Sequence, residues 1–379
     1  MSKETSYEDL KLMVFKSAKE LGEMVDNALL DMYGLDKKDY SFIIPIKEIF
    51  FEDGHLKVEI FESVRAKNMF FLTDVGNYSV EYKMHGFTNH ASPNDLTQQL
   101  KDGIHACDRH PDYINVIMPL LYNGRQHRRK TRESLACGEF LREIDNIKGA
   151  RSFITFDAHD QGVEHAVHNM EFDNFNVINT IMDRFVRERD VEELKKIVFV
   201  APDAGATDRT EAYLDSFSTP YVHREMGHFS KKRDLNNFVD GKYPIIAHEY
   251  SGSSDLEGYT AIVTDDMISS GGSMIDVVHE LKKRKAEKVY AFTTFVLFTK
   301  GIDEFDKLYK EGKFNGLYTT NLSYIPEEYK KCEWLHICDC SKELANIIYN
   351  IHNDLSISSI LRDKEYSVKL LEKKFTGKL

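Results

Sequence analysis

What constrains this chain most is a repeated pattern: an apolar run ends in an acidic, proline or glycine-bearing turn, and residues at helical spacing follow. Tyr113–Leu121 reads as a strand ending at Pro119, with a helix over Ser134–Ile144 that sets Leu141 and Ile144 on one apolar face. Arg151–Phe156 reads as a strand delivering Asp157-Ala158-His159. Ile197–Val200 reads as one delivering Ala201-Pro202-Asp203, after which a small-residue turn leads to a helix from near Asp208. Tyr259–Thr264 is a further strand, then a glycine loop, then a helix over Met274–Lys285 whose Met274, Val277, Val278 and Leu281 form a buried stripe. Lys288–Leu297 returns as strand, and Lys57–Val64 and Asn68–Leu72 are strand-like as well. Such alternation predicts an α/β fold with mainly parallel sheets flanked by helices, and ligands beyond the carboxyl ends of the strands. A chain of 379 residues has room for two domains plus extensions. Residues 1–40, with Leu10, Met13, Val14, Ala18 and Leu21 at helical spacing, read as a helical extension.

The most specific chemistry lies in Ile262-Val263-Thr264-Asp265-Asp266-Met267-Ile268-Ser269-Ser270-Gly271-Gly272-Ser273. A hydrophobic strand delivers two adjacent carboxylates, a serine and glycine loop follows, and a helix begins. Backbone N–H groups of such a loop, with the helix dipole behind them, hold a phosphate, and glycine lets the backbone approach it closely. Carboxylates accept from the vicinal hydroxyls of a sugar. The plainer alternative is an ordinary βα turn with a serine N-cap; the acid pair at the strand end favours a sugar phosphate.

Composition narrows the partners. A net charge of −12 argues against a general nucleic-acid binder, whose phosphate contacts need a basic face. Five cysteines, Cys107, Cys137, Cys332, Cys338 and Cys340, are odd in number and form no CxxC pair, so neither a disulfide framework nor a zinc site is expected. No apolar run reaches membrane-spanning length, and Met1–Asp9 is no signal peptide; the expectation is a cytoplasmic protein without nucleic-acid or membrane partners.

The Ile262–Ser273 segment resembles the phosphoribosyl pyrophosphate loop of phosphoribosyltransferases and of ribose-phosphate pyrophosphokinases. Asn115-Val116-Ile117-Met118-Pro119, then Gly124-Arg125-Gln126-His127-Arg128-Arg129, is similar to a strand and Arg-Gln-Asp-Arg-Lys stretch of the pyrophosphokinases that the transferases lack. Guanidinium forks there would grip a triphosphate bidentately. Asp157-Ala158-His159 resembles the family's Asp-Leu-His, and Ala201-Pro202-Asp203-Ala204-Gly205 its Ser-Pro-Asp-x-Gly. Phe51-Glu52-Asp53-Gly54-His55 resembles its Phe-Ser-Asp-Gly-Glu, and Ser230-Lys231-Lys232-Arg233-Asp234 the Lys-Arg-Arg part of its flexible catalytic loop. Read from the residues alone, Asp203 could equally be a helix N-cap. The resemblance runs from about residue 41 to the stretch Ile351–Ser359, ending near residue 362.

The resemblance implies two phosphoribosyltransferase-like (type I) domains over 41–185 and 186–345, and a C-terminal helix and tail over 346–379. It implies ATP bound by Phe51, Asp53, Arg125 and Gln126, with Phe51 and Asp53 reaching a neighbouring subunit of a dimer or hexamer. Ribose 5-phosphate would be held by Asp265, Asp266, Ser269, Ser270, Gly271, Gly272 and Ser273. Mg2+ would be held near His159 and Asp203, and catalysis carried by Lys231, Arg233 and His159. The implied reaction is pyrophosphoryl transfer from Mg-ATP to ribose 5-phosphate; a non-catalytic regulatory subunit or a type I phosphoribosyltransferase remain the alternatives. The chain departs from the family at His55, His127 and Ser269, where glutamate, aspartate and aspartate are usual, and carries insertions that include Ser79–His90 and Glu304–Tyr329.

Overall fold

The computed structural model describes residues 6–129, 132–233, 245–358 and 365–379; the side chains of 231–233 and 245–248 lie outside that description. The chain divides into two compact units. Unit 1 comprises Met1–Asn176, Asn321–Tyr324 and Asp339–Arg362; unit 2 comprises Val177–Thr320, Ile325–Cys338 and Asp363–Leu379.

Unit 1 is built on strands β1 (Leu10–Val14), β4 (Asn68–Leu72), β7 (Tyr113–Ile117), β8 (Ala150–Phe156) and β9 (Glu171–Phe175), in that spatial order and all parallel. Met69, Phe70, Phe71 and Leu72 are all buried, because helices cover both faces of a parallel sheet. The covering helices include α1 (Lys19–Tyr33), α2 (Pro93–Ala106) and α3 (Ala136–Asp145). The helix Ser341–His352 returns from late in the sequence to pack on α1, with Tyr33 and Tyr349 rings 5.1 Å apart. Residues 321–324 return too. The buried Asp74 carboxylate accepts from the Ser323 hydroxyl (2.9 and 3.0 Å), the Tyr324 N–H (2.7 Å) and the Gly76 N–H (2.8 Å). Two hairpins complete the unit: β2 (Ile46–Phe50) with β3 (Leu56–Ile60), and β5 (Glu81–Met84) with β6 (Phe87–His90).

Unit 2 has a seven-stranded sheet. Its order is β12 (Ile245–Ser251), β11 (His223–Arg233), β10 (Lys196–Ala201), β13 (Thr260–Ile268), β14 (Lys288–Val296), β15 (Gly316–Thr320) and β16 (Leu335–Cys338). Only β11 and β12 run antiparallel. Helices α4 (Ile178–Glu188), α5 (Val191–Leu194), α6 (Thr207–Ser216), α7 (Gly272–Lys283) and α8 (Asp303–Lys310) belong to it, as does a last helix, Glu365–Phe375. Among the described residues no helix is long and apolar enough to cross a membrane.

Three expectations change. Residues 10–14 are an edge strand of the first sheet, with Leu10, Leu12 and Met13 buried, and helix begins only at Lys19; five residues are too few for periodicity to tell strand from helix. The division falls at 176/177 rather than 185/186, because Phe185 of α4 packs its ring 4.9–5.2 Å from those of Tyr290, Phe292 and Tyr318 in unit 2. Residues 346–379 do not act together: Ser341–His352 packs in unit 1, while Tyr366 and Phe375 of the last helix meet Asp183 and Tyr221 in unit 2.

Candidate active site

In unit 2 the candidate groups gather at the carboxyl ends of neighbouring strands. β10 and β13 are parallel partners (Val200 opposite Val263), so Asp203 and the acid pair lie toward the same end of the sheet. The strand runs further than its sequence suggests. Asp265 and Asp266 lie inside β13, since β14 continues beside it and pairs Asp265 with Thr293 and Ile268 with Val296. Asp265 Oδ1 accepts the Asp266 N–H at 2.9 Å, and Asp266 Oδ1 accepts the Met267 N–H at 2.8 Å. Burial, and then the charge and hydrogen bonding of Asp266, push the Asp265 carboxyl well above the usual carboxylate range, with Arg209 opposing the shift. Sequence reasoning missed Arg209; nothing in its local pattern marks it.

The loop after β13 is fixed by its own backbone. Ile268 and Ser269 carbonyls accept from Leu297 (2.8 Å) and Thr299 (2.9 Å) N–H groups. Gly271 caps α7 at φ +84, and a Cβ there would stand 2.6 Å from a Phe305 ring carbon, so only glycine fits. Gly272 is the opposite case: nothing lies within 4 Å of the position its Cβ would take. Gly272 and Ser273 are exposed, and Ser269 and Ser270 half-buried. The first-turn N–H groups of α7 have no intrahelical partner and carry the positive end of the helix dipole, which suits a phosphate. The helix starts at Gly272, two residues before the predicted Met274.

Asp203 caps the short 3-10 turn Ala204–Ala206, accepting the Gly205 N–H at 3.0 Å. Thr210 and Thr264 hydroxyls, 2.7 Å apart and buried, tie α6 to β13. The resemblance to a flexible loop does not carry over to the backbone at Lys231 and Arg233, which stays in β11 through Arg233, opposite His248 and Ile245. Their side chains, and Asp234, lie outside the described residues.

In unit 1, β7 and β8 are parallel partners (Ile117 opposite Ile154), and the loops that follow them meet. Arg125 and Gln126 are exposed, on a turn where the Gly124 N–H donates to Leu121 (3.1 Å) and the Gln126 N–H to Asn123 (2.7 Å). His127 Nδ1 lies 3.1 Å from the Gly124 carbonyl, its Nε2 3.1 Å from Asp160 Oδ2, and its ring centroid 5.5 Å from that of His159. Arg128 donates to the same Asp160 oxygen at 2.6 Å. Burial raises the Asp160 carboxyl, but the Gly162 N–H, His127 and Arg128 outweigh it and hold it below its ordinary value. Asp160 was not singled out from sequence, although it directly follows His159. Asp157, at φ +47, turns the chain after β8 and donates to Phe175 at 2.8 Å. The structure thus brings Arg125, Gln126 and His159 to one end of the sheet.

Phe51 and Asp53 occupy another loop of unit 1, the tip of β2–β3. There Phe51 N–H donates to His55 (2.8 Å), Gly54 N–H to Phe51 (2.9 Å), and Gly54 turns at φ +89. His55 bonds Asp53 through ring and backbone nitrogens, both at 3.1 Å, which lowers the Asp53 carboxyl. Phe51 is 45% exposed. All five cysteines are free, and the described residues hold no group of three or more His, Cys, Asp or Glu side chains placed to bind a metal.

Comparison with known proteins addresses both units. Residues 10–146 match the family model for the N-terminal domain of ribose phosphate pyrophosphokinase, and residues 204–362 that for the phosphoribosyl synthetase-associated domain. The ribose-phosphate pyrophosphokinase of Synechococcus elongatus is 25% identical over 313 residues, covering 82% of this chain and 84% of the relative. That of Gloeobacter violaceus is 24% identical over 324 residues, covering 84% and 86%. The crystal structure of phosphoribosylpyrophosphate synthetase from Mycobacterium smegmatis has the same fold, with a TM-score of 0.70 at 20% identity over 91% of this chain and 99% of that one.

Proposed function

This chain belongs to the ribose-phosphate pyrophosphokinase family, and we propose that it moves the pyrophosphoryl group of Mg-ATP to the anomeric hydroxyl of ribose 5-phosphate, giving phosphoribosyl pyrophosphate and AMP. The observation that carries the reading is the order of groups from β13 into α7: two adjacent carboxylates, a left-handed glycine, then an open helix start. A pentose 5-phosphate needs acceptors for its ring hydroxyls and donors for its phosphate, in that spatial order. In the reading, Asp265 and Asp266 orient the ribose, while Ser269, Ser270, Gly271, Gly272 and Ser273 cradle the 5-phosphate.

The loop 124–129 of unit 1 supports a nucleotide role, since Arg125 presents a guanidinium fork to solvent beside Gln126 and the His159 loop. Arg125 and Gln126 grip the phosphates of ATP; Phe51 stacks on its base and Asp53 makes a polar contact. The anomeric oxygen attacks the β-phosphorus and the bond from that phosphorus to the α-phosphate oxygen breaks, so AMP leaves without a covalent enzyme intermediate. Catalysis then rests on positioning and on charge stabilisation, for which Lys231 and Arg233 are the candidates.

Magnesium commonly binds through one or two protein ligands, substrate phosphates and water rather than a protein cage, and it prefers oxygen donors such as the Asp203 carboxylate after β10. His159 on the ATP side and Asp203 on the sugar side are the ligands proposed. When bound, the ion neutralises phosphate charge. A homo-oligomer, dimer or hexamer, is part of the reading, because Phe51 and Asp53 are proposed to serve a neighbouring copy. Five free thiols suit a reducing, cytoplasmic setting.

The test is AMP formation from Mg-ATP with and without ribose 5-phosphate. AMP that appears only with the sugar, matched by phosphoribosyl pyrophosphate, is the expected result. Binding of both substrates without AMP would overturn it in favour of a non-catalytic subunit.

A further inference from the structure

The stretch Ser79–His90 is an insertion that the proposed chemistry does not use. It forms the β5–β6 hairpin, turned at His85 (φ +50) and Gly86 (φ +83). Its base is fastened: the Ala91 N–H donates to Val80 at 2.7 Å, and α2 begins at once, with Ser92 and Asp95 closing a capping box. Strand β5 and the turn after it meet the β2–β3 hairpin at three points. Tyr82 stacks on Phe50, ring centroids 4.4 Å apart and planes at 17°. The His85 N–H donates to the Glu52 carbonyl at 2.8 Å. Met84 covers Gly54 so closely that a Cβ on Gly54 would stand 2.7 Å from the Met84 sulfur. These contacts fall on residues 50, 52 and 54, which alternate with Phe51 and Asp53. A lone two-stranded hairpin is marginally stable in water. The body of β2–β3 rests on the core of unit 1 through Val58, Ile46 and Ile60, whereas its exposed tip has only its own turn bonds and the contacts that β5–β6 adds.

We propose that the β5–β6 hairpin is a positioning brace for the Phe51–Asp53 turn and so sets the affinity of that turn for the base of the nucleotide. The inference rests on the proposed function for what the turn binds. The hairpin need not touch the nucleotide. It removes the cost of ordering the turn on binding, the general route by which preorganisation raises affinity.

The experiment compares the full chain with its Tyr82→Ala and Tyr82→Phe variants. An aromatic pair of ordinary strength predicts that Tyr82→Ala raises KM for Mg-ATP about threefold to tenfold. KM for ribose 5-phosphate and kcat should stay within about twofold, as expected for loss of nucleotide binding alone. Tyr82→Phe keeps the stack and should match the unaltered chain; Met84→Ala should move KM for Mg-ATP the same way by less. Hydrogen exchange at the Phe51 and Gly54 amides should quicken in Tyr82→Ala. This readout needs no turnover, so it reports on the brace even if the unaltered chain forms no AMP, an outcome that would instead sink the proposed function. Unchanged exchange and unchanged KM for Mg-ATP in Tyr82→Ala would overturn the brace, as would an equal rise in KM for both substrates.

Discussion

The two units hold their candidate binding groups in opposite ways. In unit 2 the groups are backbone or rest directly on it: two carboxylates within a central strand, a glycine at φ +84, and the first-turn amides of α7. In unit 1 they are side chains on exposed loops, steadied by other loop side chains: Asp160 bonds Arg128 and lies beside His127, whose ring neighbours His159, while Tyr82 supports Phe50. A backbone-built site is stiff and suits a compact ligand of fixed shape, such as a phosphate monoester. A side-chain-built site adapts, which suits a long triphosphate. Substitutions should therefore separate the two substrates cleanly.

The largest expected effect belongs to neither ground-state site. Lys231→Ala should lower kcat by about 10³-fold while leaving ATP affinity nearly intact, as for a group that meets transition-state charge. An equal loss in binding and rate, measured by steady-state kinetics and nucleotide titration, would remove it from that role. Next, Asp265→Asn should lower kcat/KM for ribose 5-phosphate by about 10²-fold at pH above the raised value, where the ionised carboxyl makes a charge-assisted hydrogen bond, and by less below it, with KM for ATP nearly constant. Its stability carries a second signature. Burial and Asp266 raise the folded Asp265 carboxyl above its ordinary 3.8, so its contribution is complete below that pH and is lost as pH climbs toward the raised value. Asp265→Asn should abolish that decline and flatten the melting temperature above about pH 4; a curve parallel to the unaltered one would break the account.

Two glycines sharpen the contrast inside unit 2. Gly271→Ala should cost roughly 1–3 kcal/mol of stability, from its positive φ and the Phe305 clash, read by denaturant unfolding. Gly272→Ala has open space and should leave stability unchanged or raise it by up to about 1 kcal/mol, yet weaken ribose 5-phosphate binding where the phosphate approaches the backbone. Equal losses of stability at both positions would mean the loop is not fixed as described. The smallest effect is expected in unit 1: His127→Ala should raise KM for ATP about threefold, the size of one modest hydrogen bond, without touching the sugar.

The same contrast explains what the sequence made legible. The β13–loop–α7 segment is local, so its acids, glycines and helix stripe could be read in order. Where β13 stops could not, because that depends on β14, whose Thr293 pairs with Asp265 from 28 residues further on. β1 was misread because its five residues are strand only by virtue of β4 beside them. Asp160 went unmarked because its meaning comes from His127 and Arg128, brought over by the parallel pairing of β7 and β8. The insertion at Ser79–His90 was visible as extra length, but its stack on Phe50 was not. The α4 boundary was lost for a similar reason: Phe185 finds its partners on β14 and β15.

The helix Ser341–His352 has a consequence for how the protein is made. Asn68 near the start of β4 lies 3.2 Å from the His352 ring, and Asp74 is bonded by Ser323 and Tyr324. During synthesis domains generally fold from the N-terminus as they emerge. Here the half that is translated first waits, with the α1 surface uncovered and Asp74 unanswered, until residues 323 to 352 have been made. A ribosome stalled after residue 176 would carry an unfinished body that chaperones must shield, and a gene cut at that boundary would not express it as a stable fragment.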